Sequence, residues 1–209
     1  MLEWFDYVQI ATLILSALLV AGKAVHLWLT QHINPIAIGA GKNGWQKLLE
    51  FGFAVGMALW LVTMLSFVLH FEERVFPAFV NKPLLEGSVV KLAGLVLLIC
   101  GLVIFALALI SFGNSWRVGI DKKAPGELVS HGIFSISRNP IFLALVLYAS
   151  GTFLINGQMI LLLFAVAIAV GVHYQILQEE AFLLQQYGRA YQDYCARTGR
   201  YITFRTKAR

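Results

Sequence analysis

Two short polar groups in this otherwise apolar chain could do chemistry: Arg138-Asn139-Pro140 and the carboxylate pair Glu179-Glu180. An arginine can grip an anion through a fork of N–H donors, an asparagine both donates and accepts, and a carboxylate can pair with a cation or take up a proton. Pro140 suits the first turn of a helix and Asn139 the capping position before it, so a helix start explains part of the first group. It leaves the arginine unexplained. Glu179 and Glu180 point about 100° apart if they share a helix, so one of them faces a pocket and the other meets solvent or backbone. Glu179, one turn after Gln175 and two positions after the apolar Leu177, reads as the inward one. His173 has no evident partner inside an apolar stretch. Together with Glu180 it is a candidate base for an acceptor that must lose a proton.

The elements that position these residues follow from composition. Of 209 residues, 59% are hydrophobic and 13% charged, more apolar side chain than a soluble core of this size uses. Apolar blocks of about 20 residues match helices crossing roughly 30 Å of hydrocarbon, where a bare backbone finds no partner. Five spans are predicted, at about 4–29, 48–70, 89–112, 141–155 and 159–177. The first block is long and starts with Glu3 and Asp6, unlike a cleavable signal peptide, and is expected to stay in the mature protein. Asn156-Gly157-Gln158 predicts a tight antiparallel hairpin of the last two spans. Arg138 and Glu179-Glu180 should then meet at one membrane face.

The expected fold is all-α: a polytopic membrane protein with about five transmembrane helices, the hairpin of spans four and five, and an amphipathic C-terminal helix beginning near Gln178-Glu179-Glu180. One membrane domain over 1–209 is predicted, with a scaffold of nearly plain hydrocarbon spans over 1–110 and a working half over 111–209. Gly52 and Gly56 form a small-xxx-small pair expected to mark close helix packing. Pro125-Gly126 predicts a turn, and the alternation that follows it a short segment packed under the membrane surface.

Arg117, Lys122, Lys123 and Arg138 lie between spans three and four, and six more arginines and lysines follow span five from Arg189 onward. The positive-inside rule puts both segments in the cytoplasm and the N-terminus outside, with a bacterial inner membrane or its equivalent as the expected setting. The formal net charge of +5 then serves topology and attraction to anionic lipid, and no nucleic-acid partner is expected. Trp116 and Arg117 read as an interfacial anchor, and Lys23 as a snorkelling residue. Cys100 falls within a span and Cys195 in the basic tail, so two free thiols are expected. The five histidines have no metal-like spacing, and no metal is predicted.

The stretch from Gly126 to Phe142, then Glu179-Glu180-x-x-Leu183, Tyr187-Gly188-x-x-Tyr191-x-x-Tyr194 and Gly199-Arg200-Tyr201-Ile202, resembles the C-terminal half of the isoprenylcysteine carboxyl methyltransferase and phospholipid methyltransferase superfamily. The match covers about residues 111–204. The resemblance implies an integral membrane enzyme that takes a methyl group from S-adenosylmethionine at the cytosolic face. Carried over by position, Glu127, Leu128, Val129, Phe134, Asn139, Pro140, Ile141, Phe142 and Glu179 would line the cofactor pocket. Gln175 stands at the family's substrate-facing arginine, with His173 as a second substrate-side candidate, and Arg138, His173 and Glu180 are the candidates for a catalytic role.

Three positions depart from the family. Asn139 replaces a histidine, Phe134 a tyrosine, and Gln175 the cation that a prenylcysteine carboxylate would meet. A pocket where helices leave the bilayer suits a lipophilic acceptor: an isoprenylcysteine-like carboxylate, a phospholipid amine or a thiol. The competing classes are a membrane reductase of the sterol and steroid type using reduced nicotinamide cofactor, and a non-enzymatic membrane scaffold.

Overall fold

The computed structural model describes residues 2–32, 44–113, 116 and 127–203. Four of its helices are long and apolar enough to cross a membrane: α1 (Trp4–Gln31), α2 (Gly44–Val68), α5 (Ser88–Phe112) and α7 (Met159–Tyr187). Two single-turn helices, α3 (Glu72–Val75) and α4 (Ala78–Asn81), join α2 to α5. A fifth apolar helix, α6 (Pro140–Asn156), has 17 residues and reaches about 25 Å at 1.5 Å per residue, short of a full crossing. The five expected spans are thus four long helices and one short one. The short helix is surrounded by its neighbours, with Ala144, Tyr148, Ala149, Thr152 and Phe153 among its buried residues, so lipid does not dictate its length.

Proline at its first position starts α6, and Gly157 ends it at φ 81°, a left-handed conformation that glycine adopts without strain. A Cβ there would lie 2.2 Å from the Leu85 carbonyl oxygen, so the hairpin turn needs glycine on two counts. The hairpin with α7 forms as predicted, but the more intimate partner of α6 is α5. A Cβ on Gly94 would come within 2.7 Å of the Gly151 carbonyl oxygen, and one on Gly101 within 2.9 Å of that of Ala144. Both pairs are seven residues apart, so small residues recur on one stripe of each antiparallel helix and the backbones close together. Gly52 and Gly56 do not pack in this way. Among the described residues nothing lies within 4 Å of a Cβ placed on either, and a small-residue pair draws helices together only where a neighbour opposes it.

The scaffold spans are not plain hydrocarbon. Asp6, Gln9 and Thr12 are buried and follow one another at three-residue steps, which puts them on one face of α1. Across from them Thr12 Oγ1 lies 3.0 Å from the Tyr148 hydroxyl, and Asn156 Nδ2 donates to Gln9 Oε1 at 2.8 Å. Scattered along the sequence, these polar residues look incidental; helical periodicity collects them against α6.

Two further expectations change. Helix α7 runs unbroken from the apolar span through Glu179 and Glu180 to Tyr187, since nothing before Gly188 breaks it, and Gly188 turns the chain at φ 53°. The amphipathic helix is therefore α8 (Arg189–Arg197), ten residues later than predicted, with Tyr191 and Tyr194 buried beneath it. Trp116 is also no surface anchor: it is 4% exposed and fills a cluster with Leu27 and Leu109. Arg117, the Lys122-Lys123 pair and the Pro125-Gly126 turn lie outside the described residues. The main core, centred on Met64, Leu98, Ala149, Leu161 and Ile176, joins α2, α5, α6 and α7.

Candidate functional site

The polar residues gather where α6 begins and α7 nears its end. A 3-10 turn (Gly132–Ser135) buries Phe134, whose ring meets Phe112 edge-on at 4.6 Å and packs with Tyr191 and Tyr194. The Tyr194 hydroxyl donates to the Phe134 carbonyl at 2.7 Å, tying α8 to the turn. Leu128 and Val129 pack on the same aromatic cluster. Two residues on, the buried Ser137 accepts the Asn139 amide at 3.1 Å and so shapes the entry to α6.

The tail is sewn onto this entry. Arg138 N donates to the Gly199 carbonyl at 3.0 Å, Thr203 N to that of Ile136 at 2.8 Å, and the Thr203 hydroxyl to the same Ile136 oxygen at 2.7 Å. Asn139 Nδ2 donates to the Arg200 carbonyl at 3.1 Å. These bonds carry Arg200 across to Glu180, where its Nε and Nη2 lie 3.0 and 2.8 Å from Oε2. The other carboxylate oxygen takes Arg138 Nη2 at 3.2 Å and lies 3.4 Å from Asn139 Nδ2. Arg138 Nη1 also contacts the Cys195 thiol, and neither cysteine forms a disulfide.

The electrostatics of this cluster are asymmetric. Glu180 and Arg138 side chains are each 12% exposed and Arg200 is 37% exposed, so the pair at the α6 entry is the desolvated one. Glu180 raises the already high pKa of Arg200, first through their hydrogen bond. The hydroxyls of Tyr191 and Tyr194 titrate well above the usual range, chiefly because burial penalises a phenolate, with the Glu180 charge reinforcing this at Tyr191. Among these contacts two guanidiniums share one carboxylate. Arg138 Nε is buried with no acceptor among the described residues, an exception among buried donors, which normally have one.

The predicted meeting of Arg138 with the carboxylate pair takes place through Glu180, which faces Arg138 and Asn139. Glu179, about 100° around the helix from Glu180, is half-buried. Of the residues expected around the cofactor, Leu128, Val129, Phe134 and Asn139 lie around the cluster, and Pro140 is buried beside them. Ile141 packs instead toward Leu109 and Trp116, Phe142 toward the main core, and Glu127 is exposed. His173 does have a partner: Nδ1 is 2.5 Å from the Tyr201 hydroxyl, with the rings stacked at 6.3 Å. The side-chain oxygen of Gln175 is buried without a donor among the described residues.

Arg200 and Tyr201 are the residues whose roles the sequence hides. Arg200 is 20 residues from Glu180, a separation with no helical or turn periodicity, and its signal is its place in Gly199-Arg200-Tyr201-Ile202. Ser137 and Thr203 carry no signal at all.

Fold and site together define a class: an all-α integral membrane protein with a desolvated arginine–carboxylate cluster where a helical hairpin leaves the bilayer. Residues 89–190 match the phospholipid methyltransferase family. The matched segment opens one residue into α5 and closes inside α8, so it contains α6, α7, Arg138 and Glu180. No curated protein matches the chain. The family is one of membrane methyltransferases, within the superfamily that the sequence resembles.

Proposed function

We propose that this protein transfers a methyl group from S-adenosylmethionine to a lipophilic acceptor at the membrane face that carries the Arg138–Glu180 cluster, and that this face is cytoplasmic. The observation that carries the reading is the buried, unbonded Nε of Arg138, in a cluster where two guanidiniums share one carboxylate, within the segment that matches the family. A donor of this kind suits the carboxylate of the cofactor's methionine moiety.

The cofactor, when bound, supplies an electrophilic methyl group on a sulfonium. The chain's own residues bind, orient and exclude water, which is most of what an in-line displacement asks of a protein. Arg138 grips the anionic end, Asn139 adds a neutral hydrogen-bonding group, and Glu180 holds both by their side chains. Leu128, Val129 and Phe134 contribute an apolar wall, and Glu179 stands within reach as a further contact. Gln175 offers an uncharged buried oxygen where a carboxylate substrate would want a cation. This favours a phospholipid amine or a thiol over an isoprenylcysteine carboxylate. An amine must be unprotonated to attack, and His173, oriented by Tyr201, is a candidate to take that proton.

Calorimetric titration of the purified protein with S-adenosylhomocysteine, and separately with reduced nicotinamide cofactor, tests the reading. Binding of the first and silence with the second is expected, and Arg138→Met should remove the signal while Arg74→Met, in α3, leaves it. The reverse selectivity indicates a reductase; silence with both indicates a scaffold.

A further inference from the structure

The connector between α2 and α5 holds only the single-turn helices α3 and α4, far short of a membrane span. It nevertheless carries the exposed apolar side chains Val75, Phe79, Leu84 and Leu85, with Val89 just inside α5. Phe79 and Val89, 78% and 81% exposed, are the two barest large apolar side chains among the described residues. On the flank of a membrane span such exposure is ordinary, but on a connector in water it is unfavourable. The depth at which the connector sits decides what covers it.

Helix α7 measures that depth. Its apolar run over residues 159–177 is about 28 Å long at 1.5 Å per residue, close to the thickness of the hydrocarbon core. Glu179 and Glu180 follow at one end, so hydrocarbon that stops there reaches Gln158 at the other. A tilt of α7, or a boundary drawn deeper by His173 and Gln175, carries the hydrocarbon past Gln158 and never short of it. The connector is fastened at this level. Pro83 and Gln158 form an antiparallel bridge, and Leu84 N donates to the Gly157 carbonyl at 2.8 Å. Helix α5 gives the same level independently: Gly94 meets Gly151 and Gly101 meets Ala144, a register that sets Ser88 opposite Gly157. Upstream, Phe76 stacks on Phe67 at 5.7 Å, and Phe67 borders the same cavity as Ile155 and Gln158. Helix α4 is thus tethered on both sides, and Phe79 lies at most about 10 Å from Phe76 even if the chain between them were fully extended.

We infer that this connector is an interfacial anchor, with α4 lying in the boundary between headgroups and acyl chains of the leaflet opposite the Arg138 cluster and Phe79 inserted among the chains. An aromatic or aliphatic side chain at that depth exchanges water for hydrocarbon while the backbone of a single turn keeps its polar groups near the headgroups. The charges of the segment are Glu72, Glu73 and Glu86 against Arg74 and Lys82, a net negative balance, so apolar burial and not attraction to anionic lipid holds it there. The anchor shares no residue with the Arg138 cluster and stands apart from the methyl-transfer reading.

The test uses the full chain in phosphatidylcholine nanodiscs, with a nitroxide placed by Phe79→Cys, Glu86→Cys or Val166→Cys in a Cys100→Ser/Cys195→Ser background. Collisions with dissolved oxygen report hydrocarbon and collisions with a polar nickel chelate report water. The label at 79 should lose its nickel collisions and gain oxygen collisions, as the label at the lipid-facing position 166 of α7 does, whereas the label at 86 should keep its nickel collisions. Adding phosphatidylglycerol should change none of this. Phe79→Trp in the otherwise native chain guards against a folding defect in the cysteine-free background: its added emission should be quenched by phosphatidylcholine brominated near the headgroup and spared by acrylamide. Nickel collisions at 79 equal to those at 86, or acrylamide quenching of the added tryptophan, would put the connector in water and overturn the inference. Insertion only when phosphatidylglycerol is present would overturn it as well, and so would a label at 79 shielded from both reagents and broadened by a second label, which would place another copy of the chain there.

Discussion

Replacing Glu180 by alanine removes the carboxylate from both guanidiniums, and the structure sets how unequal the two losses are. Arg138, 12% exposed and 3.2 Å from Oε1, is left as a desolvated cation with no counter-charge among its observed contacts, a change that costs about 3–5 kcal/mol when one partner of a buried pair is removed. Arg200 makes the shorter, two-pronged contact at 3.0 and 2.8 Å. It is nonetheless 37% exposed, and water takes over much of the carboxylate's role, so its share is about 1 kcal/mol or less. Glu180→Ala should therefore cost about 3–5 kcal/mol in denaturant unfolding of the purified protein, and Arg200→Ala about 1 kcal/mol or less. The shorter ion pair is predicted to be the weaker one. Because the penalty is mostly a stranded charge, the double variant Glu180→Ala/Arg138→Met should recover most of it, with a coupling energy of about 2 kcal/mol or more. Equal costs for the two single variants, or additivity in the double variant, would refute the claim that desolvation of Arg138 dominates this cluster.

Gly151→Leu would press a side chain onto the backbone of α5 at 2.7 Å, costing about 1–3 kcal/mol or preventing assembly, whereas Gly56→Leu should be nearly neutral; unfolding and membrane yield of the pair decide this. The hydroxyls of Tyr191 and Tyr194 have raised folded-state pKa values, so their contribution to stability is complete below the unfolded value of about 10 and is lost as pH rises through the folded one. Alkaline unfolding should therefore coincide with late phenolate absorbance, and Tyr194→Phe should remove part of both. Thr203→Val deletes the hydroxyl that donates to Ile136 at 2.7 Å and accepts from Gly199 at 2.8 Å. It should cost about 1–2 kcal/mol and raise proteolytic sensitivity after α8; an unchanged cleavage rate would mean the tail does not depend on it.

The membrane class, the helical hairpin and the meeting of Arg138 with a carboxylate at its open end were legible in the sequence, because apolar block length and a three-residue turn leave little freedom. Which carboxylate meets Arg138 was not. Glu179 looked inward from its spacing to Gln175 and Leu177, yet the orientation of α7 about its own axis is set by its packing through Val172 and Ile176, and that rotation presents Glu180. The glycines tell a similar story. Gly52-Gly56 has the familiar local spacing and lies open, while Gly94 and Gly101, far in sequence from Gly151, bring α5 and α6 into backbone contact.

The amino-acid order alone requires Arg138-Asn139-Pro140 and Glu179-Glu180 to share one membrane face. That result rests on hydropathy and turn length, both properties of short segments that persist whatever the neighbours do. Only the tertiary structure decided that Glu180 is the shared counter-charge, that Arg200 and Tyr201 come back from the tail to complete the cluster, and that Asp6, Gln9 and Thr12 form a polar stripe inside the scaffold. Those outcomes depend on helix rotation and on contacts between residues tens to more than a hundred positions apart, for which no local pattern exists.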